Sequence, residues 1–332
     1  MNVLVTGAAG FIGCAYVRAL LAQKEPGLRV TVLDKLTYAG STRNLDLNHP
    51  RLEFVQGDIC DGALVDRLMA EADQVVHFAA ESHVDRSISG ADLFARTNVV
   101  GTQTLLAAAV RHRTEPFVQV STDEVYGSLA GGAWQEDAPL RPNSPYSASK
   151  ASADLFALAC HRTHGLDVRI TRCSNNYGPR QFPEKVVPLF ITHLLDGRKV
   201  PLYGDGLNVR EWLHVEDHCH GVELVRTRGR AGEVYHLGGG AEMTNLELTE
   251  RLLDACGADW SQVEYVEDRK GHDRRYALDD SKARTELGYR PRTAFAAGLN
   301  ATVAWYREHQ EWWRQLTDRP RGIDGRTDRA PA

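Results

Sequence analysis

The sequence predicts a doubly wound α/β protein: a parallel sheet with helices on both faces, followed by a smaller mixed lobe. Three observations carry that expectation. Short apolar runs rich in β-branched residues alternate with helix-length segments through the first half of the chain. A glycine-rich turn joins the first run to the first helix. After about Arg172 the alternation gives way to a stretch punctuated by proline and glycine.

Strands are expected at Asn2–Thr6, Arg29–Leu33, Leu52–Gln56, Gln74–Phe78, Pro116–Ser121 and Val168–Arg172. Their near-continuous apolar character suits strands covered on both faces. Helical patterns fall between them at Phe11–Gln23, Asp61–Glu71, Asn98–Arg113 and Pro145–His164, which implies right-handed crossovers. In the second half, Asn175–Pro179, Pro183, Pro188, Pro201 and Gly204–Gly206 read as turns and loops. Helices are expected again at Thr244–Cys256, Asp280–Leu287 and Phe295–Arg314. The chain is thus expected to divide into a sheet domain, residues 1–172, and a ligand-binding lobe, residues 173–316, with segments returning to the sheet. Residues 317–332 form a polar tail whose Pro and Gly predict disorder.

Composition excludes several classes of function. Lys and Arg number 39 against 44 Asp and Glu, a formal charge of −5 over 332 residues. That balance argues against a nucleic-acid-binding surface and leaves room only for a local basic pocket. No run approaches the roughly 18 consecutive apolar residues of a membrane helix. The N-terminus enters an apolar strand at Val3 with no basic leader, so no secretory signal is expected. Cys14, Cys60, Cys160, Cys173, Cys219 and Cys256 are scattered and read as free thiols. His214, His218 and His220 cluster without supporting cysteines or an open-site pattern, so no metal is expected. A soluble, cytoplasmic protein in contact with neither nucleic acid nor membrane is the reading.

The run Val5-Thr6-Gly7-Ala8-Ala9-Gly10-Phe11-Ile12-Gly13 follows a strand and opens a helix. Gly7 permits the tight turn, Gly10 lets backbone approach a pyrophosphate, and Gly13 allows close helix–sheet packing. The helix N-terminus offers free N–H groups to phosphates. The second strand ends at Asp34, whose carboxylate suits ribose hydroxyls and repels a 2′-phosphate, which favours NAD over NADP. Lys35 beside it softens that rejection. After the third strand, Asp58 is placed to meet an adenine amino group. The fold class sharpens accordingly to a Rossmann-type parallel sheet with a mixed C-terminal substrate-binding lobe.

Tyr146 and Lys150 lie one helical turn apart, on one face. An unperturbed tyrosine titrates near 10, so a catalytic base needs a neighbouring ammonium and a cationic nicotinamide to favour phenolate. Asn98 is a weaker candidate for ordering water or backbone near Lys150. Ser121-Thr122-Asp123-Glu124 ends the fifth strand, where α/β sheets bind ligands. Alcohol oxidation needs no adjacent carboxylates. Dehydration does, because one group removes a carbon-bound proton while another protonates a departing hydroxyl.

With these residues together, the sequence resembles the extended short-chain dehydrogenase/reductase superfamily over residues 2–315. The resemblance rests on Gly7/Gly10/Gly13, Phe78-Ala79-Ala80, Asn98-Val99-Val100-Gly101-Thr102, Tyr146/Lys150 and Asn176-Tyr177-Gly178-Pro179. Thr122-Asp123-Glu124 is similar to the signature of nucleoside-diphosphate-glucose 4,6-dehydratases, most closely those acting on dTDP-glucose. Ala79-Ala80-Glu81-Ser82-His83-Val84-Asp85-Arg86-Ser87 and Asp268-Arg269-Lys270-Gly271-His272-Asp273 resemble further parts of that pattern; Lys270 stands where many relatives carry proline. The resemblance implies a catalytic set of Thr122, Asp123, Glu124, Tyr146 and Lys150. It implies NAD contacts from Gly7, Gly10, Phe11, Ile12, Gly13, Asp34, Lys35, Leu36 and Thr37. Asp58, Ile59, Phe78, Ala79, Ala80, Ser82, Thr97, Tyr146, Lys150 and Asn176 would complete that cofactor site.

For the sugar nucleotide the implied contacts are Ser82, Thr122, Asp123, Glu124, Tyr146, Asn175, Lys185 and Val186. Pro201, Tyr203, Arg210, Asn245, Arg269 and His272 would hold its nucleotide end. Arg210 and Arg269 suit diphosphate oxygens, which guanidinium forks bind bidentately. The implied reaction is removal of water from dTDP-glucose with hydride passing from carbon 4 to carbon 6, and the implied assembly is a homodimer. The rivals are a sugar-nucleotide 4-epimerase or a UDP-sugar dehydratase of the same superfamily, and a non-catalytic NAD-sensing module.

Overall fold

A computed structural model describes residues 1–317; of the expected disordered tail, all but Thr317 lies outside the described residues. In chain order the strands are β1 (Asn2–Thr6), β2 (Arg29–Asp34), β3 (Leu52–Gln56), β4 (Gln74–His77), β5 (Phe117–Thr122) and β6 (Val168–Cys173). Then follow β7 (Asn175–Tyr177), β8 (Val200–Tyr203), β9 (Val209–His214), β10 (Val234–Leu237), β11 (Ala241–Thr244) and β12 (Val263–Val266).

Seven strands form one parallel sheet in the order β10-β6-β5-β4-β1-β2-β3. The chain runs outward from β1 to β3, then returns to β4 and runs the other way, so the order reverses between β1 and β4. A crevice opens there at the carboxyl ends of the strands, the usual ligand position in such sheets. The period-2 geometry of a strand sends alternate residues to opposite faces. Val3 and Val5 pack with Tyr16, Val222 and Val225 of one helical layer, while Leu4 packs with Leu105 and Leu106 of the other.

A smaller three-stranded sheet, β11-β9-β7, and the pair β12-β8 build the remainder around a third core that includes Phe190, Trp212, Leu252 and Trp313. Differences from the sequence reading are local. The Asn98–Arg113 expectation resolves into a π-helical stretch, Ala95–Gly101, followed by an α-helix, Thr102–His112. The expected Phe295–Arg314 helix breaks at His309, whose backbone leaves helical geometry, giving Phe295–Glu308 and Gln310–Thr317. Pro188 is not a turn but lies in the first turn of helix Val186–Leu195, where the missing N–H would have no partner anyway. Helix Val215–Arg228 and strand β10 are additions the sequence reading did not contain. Among the described residues no helix is long and apolar enough to cross a membrane.

Candidate active site

The crevice at the strand reversal is a cleft of about 310 Å³. Gly7 leaves β1 with φ +71, and a β-carbon there would lie 2.5 Å from the Cα of Ala79 beyond β4. One on Gly13 would lie 2.6 Å from the Gly7 carbonyl oxygen. Neither position tolerates a side chain, so the backbone forms a bare cradle. Helix Phe11–Ala22 starts at Gly10 with no side-chain cap, leaving its first N–H groups facing the cleft mouth. Asp34 closes β2; its Oδ2 accepts from Ala9 N–H at 2.9 Å and its Oδ1 from Leu36 N–H at 2.8 Å. Burial raises its pKa against those two bonds. A cradle without β-carbons, an uncapped helix end and a carboxylate at the second strand together fit a dinucleotide.

Phe11, Ile12, Lys35, Thr37, Asp58, Ile59, Phe78, Ala79, Ala80, Ser82, Thr97 and Asn176 line the same cleft. Leu36 does not; it contributes its N–H to Asp34. Lys35 is turned to Asp58 at 2.9 Å. Burial pushes the Asp58 carboxyl up, but the Cys60 N–H and Lys35 outweigh it and the pKa is lowered.

At the other end of the cleft stand Thr122, Asp123, Glu124, Tyr146 and Lys150. Thr122 ends β5 and caps a 3₁₀ turn, Asp123–Tyr126, accepting from Glu124 N–H at 3.2 Å. Its hydroxyl donates to Asp123 Oδ1 at 3.1 Å, while Asp123 Oδ2 is buried without a partner. Burial, then Glu124 and Glu211, drives the Asp123 pKa well above the carboxylate range. Burial raises Glu124 also, but Arg269, Lys185 and Arg210 pull it back. Both carboxyls are raised, Asp123 strongly and Glu124 against the opposition of three cations, so their environments differ although they are adjacent.

Tyr146 and Lys150 share a face of helix Pro145–His164, which Ser144 starts with a capping box. Lys150 Nζ donates to the Val120 carbonyl at 2.7 Å, and burial lowers its pKa against the pull of Asp154. The phenol differs from the sequence expectation. Burial, then Glu124, Cys173 and Asp123, hold the Tyr146 pKa well above its ordinary value, with a Thr122 hydrogen bond opposing them. Two carboxyls lie close to the phenol while the ammonium is anchored to a carbonyl, so the protein alone favours the neutral phenol. Asn98 holds the floor of the site: it accepts from Glu81 N–H and donates to the Glu81 carbonyl and to Ser149 Oγ, one residue from Lys150.

Asn175 and Lys185 also line the cleft, and Lys185 Nζ donates to the Ser82 carbonyl at 2.7 Å. Val186, Pro201, Tyr203, Arg210, Asn245, Arg269 and His272 do not line it. Arg210 is buried, donates to the Asp273 carbonyl at 2.8 Å and stacks 4.3 Å over Tyr276. Arg269 pairs with Asp85 at 3.8 Å, and His272 with Asp268 at 2.6 Å. Tyr203 ends β8 near Arg269, Pro201 lies within β8, Val186 opens a helix behind Lys185, and Asn245 donates its N–H to Asn208. Of these, Arg210 and Arg269 act on Glu124 from outside the glycine cradle.

Sequence reasoning missed Cys173, which stands in register with Thr122 and lines the cleft, and Tyr276, which backs Arg210. No sequence signal marked either; both occur outside any polar motif. Of the clustered histidines, His214 caps helix Val215–Arg228, His218 bonds to Asn176 and His220 to Arg292, so they serve three separate local tasks.

A family model described as GDP-mannose 4,6 dehydratase matches residues 4–302. A dTDP-glucose 4,6-dehydratase from Streptomyces antibioticus is 67% identical over 326 residues, 97% of each chain. The crystal structure of dTDP-glucose 4,6-dehydratase from Streptomyces venezuelae with NAD and TYD bound is 61% identical. It covers 95% of this chain and 100% of that one, with a TM-score of 0.93. UDP-glucose 4-epimerase from Thermus thermophilus in complex with NAD shares the fold at a TM-score of 0.86 but only 33% identity, over 93% of this chain and 100% of that one. Identity and coverage therefore agree with the paired carboxyls at the end of β5: the chain belongs to the dTDP-glucose 4,6-dehydratase family of the extended short-chain dehydrogenases/reductases.

Proposed function

We propose that this protein converts dTDP-glucose to dTDP-4-keto-6-deoxyglucose and water. The observation that carries the reading is the pair of adjacent buried carboxyls at the end of β5: Asp123, with one oxygen unpartnered and its pKa driven well up, suits the acid, and Glu124, whose rise three cations oppose, suits the base. NAD bound in the Gly7–Gly13 cradle supplies a hydride acceptor that later becomes the donor, so no external reductant is consumed. Tyr146, as the phenolate that Lys150 together with a bound cationic nicotinamide would favour, takes the proton of the sugar 4-hydroxyl and becomes the neutral phenol. Thr122 turns its one hydroxyl proton from Asp123 to the carbon 4 oxygen as charge develops on it. Glu124 removes the proton from carbon 5, now acidified by the adjacent ketone, and Asp123 protonates the departing 6-hydroxyl. Glu124 then returns a proton to carbon 5.

In the same reading, residues 1–172 hold mainly the cofactor and residues 173–316 mainly the sugar nucleotide. Arg210 and Arg269 face its diphosphate, and Asn175, Lys185, Val186, Pro201, Tyr203, Asn245 and His272 enclose the rest. The protein works in the cytoplasm as a homodimer. Val100, Leu155 and Phe156, about half exposed on neighbouring helical segments, support a self-association face; a monomer in light scattering would overturn the dimer. For the reaction, purified protein is incubated with dTDP-glucose without added reductant and the product weighed by mass spectrometry. The expected product is lighter by one water with no net accumulation of NADH, whereas a carbon 4 epimer alone would overturn the dehydratase reading.

A further inference from the structure

Behind the catalytic turn lies a buried polar chain that the mechanism above does not use. Arg172 of β6 and Asp154 of helix Pro145–His164 pair at 2.9 Å with almost no exposure, 2% and 0%. Arg172 also donates to the Tyr126 hydroxyl at 2.5 Å and to the Glu136 carbonyl at 3.3 Å, and lies 4.9 Å from the Tyr126 ring centroid. Tyr126 Oη meets His236 Nε2 at 2.6 Å. The direction of that bond follows from its far end. His236 Nδ1 faces the Asp279 carbonyl at 3.0 Å, an acceptor only, so Nδ1 carries the proton. Burial lowers the His236 pKa to about 3, which keeps the ring neutral and leaves Nε2 to accept. Tyr126 therefore donates to His236 at 2.6 Å, with the Glu136 carbonyl a longer second acceptor at 3.4 Å, and accepts from Arg172.

The chain ties together parts that the reaction needs in register. Tyr126 is the last residue of the 3₁₀ turn that presents Asp123 and Glu124. Asp154 lies one helical turn beyond Lys150 and two beyond Tyr146 on one face. Arg172 pairs in register with Ser121, just before Thr122, and His236 pairs in register with Arg172. Buried ion pairs contribute little net stability compared with apolar packing, so a purely stabilising purpose is a poor account of this one.

We propose that Arg172, Tyr126, Asp154 and His236 are positioning residues that hold the Asp123–Glu124 turn against the Tyr146–Lys150 helix, and so control elimination more than hydride removal. This rests on the dehydratase reading. Tyr126→Phe keeps the ring and removes the link between Arg172 and His236. In single turnover with dTDP-glucose, the variant is expected to remove hydride at nearly the wild-type rate. Water loss slows by roughly ten- to a hundredfold, the scale on which small misplacements of catalytic groups act, and reduced nicotinamide absorbance rises transiently.

Arg172→Lys retains the charge opposite Asp154 but lacks the fork that reaches Tyr126, so it is expected to show the same transient. It decides the matter if Tyr126→Phe does not fold. Equal slowing of both steps, or wild-type behaviour, overturns the proposal. Absence of the dehydrated product with wild-type enzyme would instead overturn the dehydratase reading itself.

Discussion

Asp123→Asn should make the protein more stable while nearly abolishing water loss. The carboxyl is 2% exposed, one oxygen is unpartnered, and Glu124 and Glu211 lie close enough to raise its pKa further. A raised carboxyl pKa means the folded state binds more proton than the unfolded chain, so stability falls as pH rises above the unfolded value near ~4. Each unit of the rise represents about 1.4 kcal/mol lost once the group is ionised in both states. At about 2 °C of Tm per kcal/mol for a chain of this length, removing one unit's worth amounts to roughly 3 °C. The asparagine leaves a neutral polar group unpaired, at about 1–3 kcal/mol, but above the unfolded pKa the aspartate must either take up a proton on folding or be buried charged, and that costs more as pH rises.

Calorimetric scans of wild type and variant across pH read this directly. The difference should be small near pH ~4 and grow in favour of the Asp123→Asn variant as pH rises, in line with the proton-linkage sign. In parallel, loss of the general acid should lower turnover by about 10²–10⁴, or ~3–5 kcal/mol of barrier. A variant less stable than wild type throughout, or one with full turnover, would refute the protonated-acid argument.

The remaining predictions are shorter. Glu124→Gln should retain hydride removal at carbon 4 but lose solvent exchange at carbon 5, by about 10²-fold or more; mass spectrometry in deuterated water detects the exchange. Gly7→Ala places a β-carbon at positive φ and 2.5 Å from the Ala79 Cα, so NAD content after purification and Tm should both fall, the latter by at least ~2 kcal/mol equivalent. Arg86 lies 3.9 Å over the Tyr38 ring and 3.2 Å from Glu184, while Tyr38 meets Phe182 edge-on. That clasp joins three segments beside the cleft. Arg86→Ala should therefore speed exchange of bound NAD with labelled NAD several-fold, roughly the ~1 kcal/mol of a cation–π contact plus an exposed ion pair.

The first six strands and the glycine cradle were legible because their signals are local. Val3, Val5 and Leu4 announce a two-sided strand, and Gly7 and Gly13 sit where no β-carbon fits. Helix Val215–Arg228 was not legible because its buried face is partly polar. Asp217 accepts from the Arg292 and Thr293 N–H groups and His218 bonds to Asn176, so hydrophobic periodicity is blurred. Strand β10 is four residues, Val234–Leu237, too short for a pattern to stand out. In the site, Asp123 and Glu124 were readable as a pair, but what makes their environments differ is not adjacency. Arg269 and Lys185 act on Glu124, Glu211 acts on Asp123, and Arg210 acts on both, from other segments. The Arg172–Asp154 pair joins a strand to a helix and leaves no spacing to recognise.

The late position of β10 has a consequence for synthesis. Its partner β6 carries Val168, Ile170 and Thr171 along what becomes an interior edge only when Val234 pairs with Ile170. A ribosome-bound chain must therefore keep a β-branched edge unpaired while more than sixty further residues emerge. Residues 1–172 made alone would keep that edge permanently and are expected to aggregate, whereas extension through Leu237 closes it. Fractionating fragments of stepwise length into soluble and pelleted material would show the change near that residue.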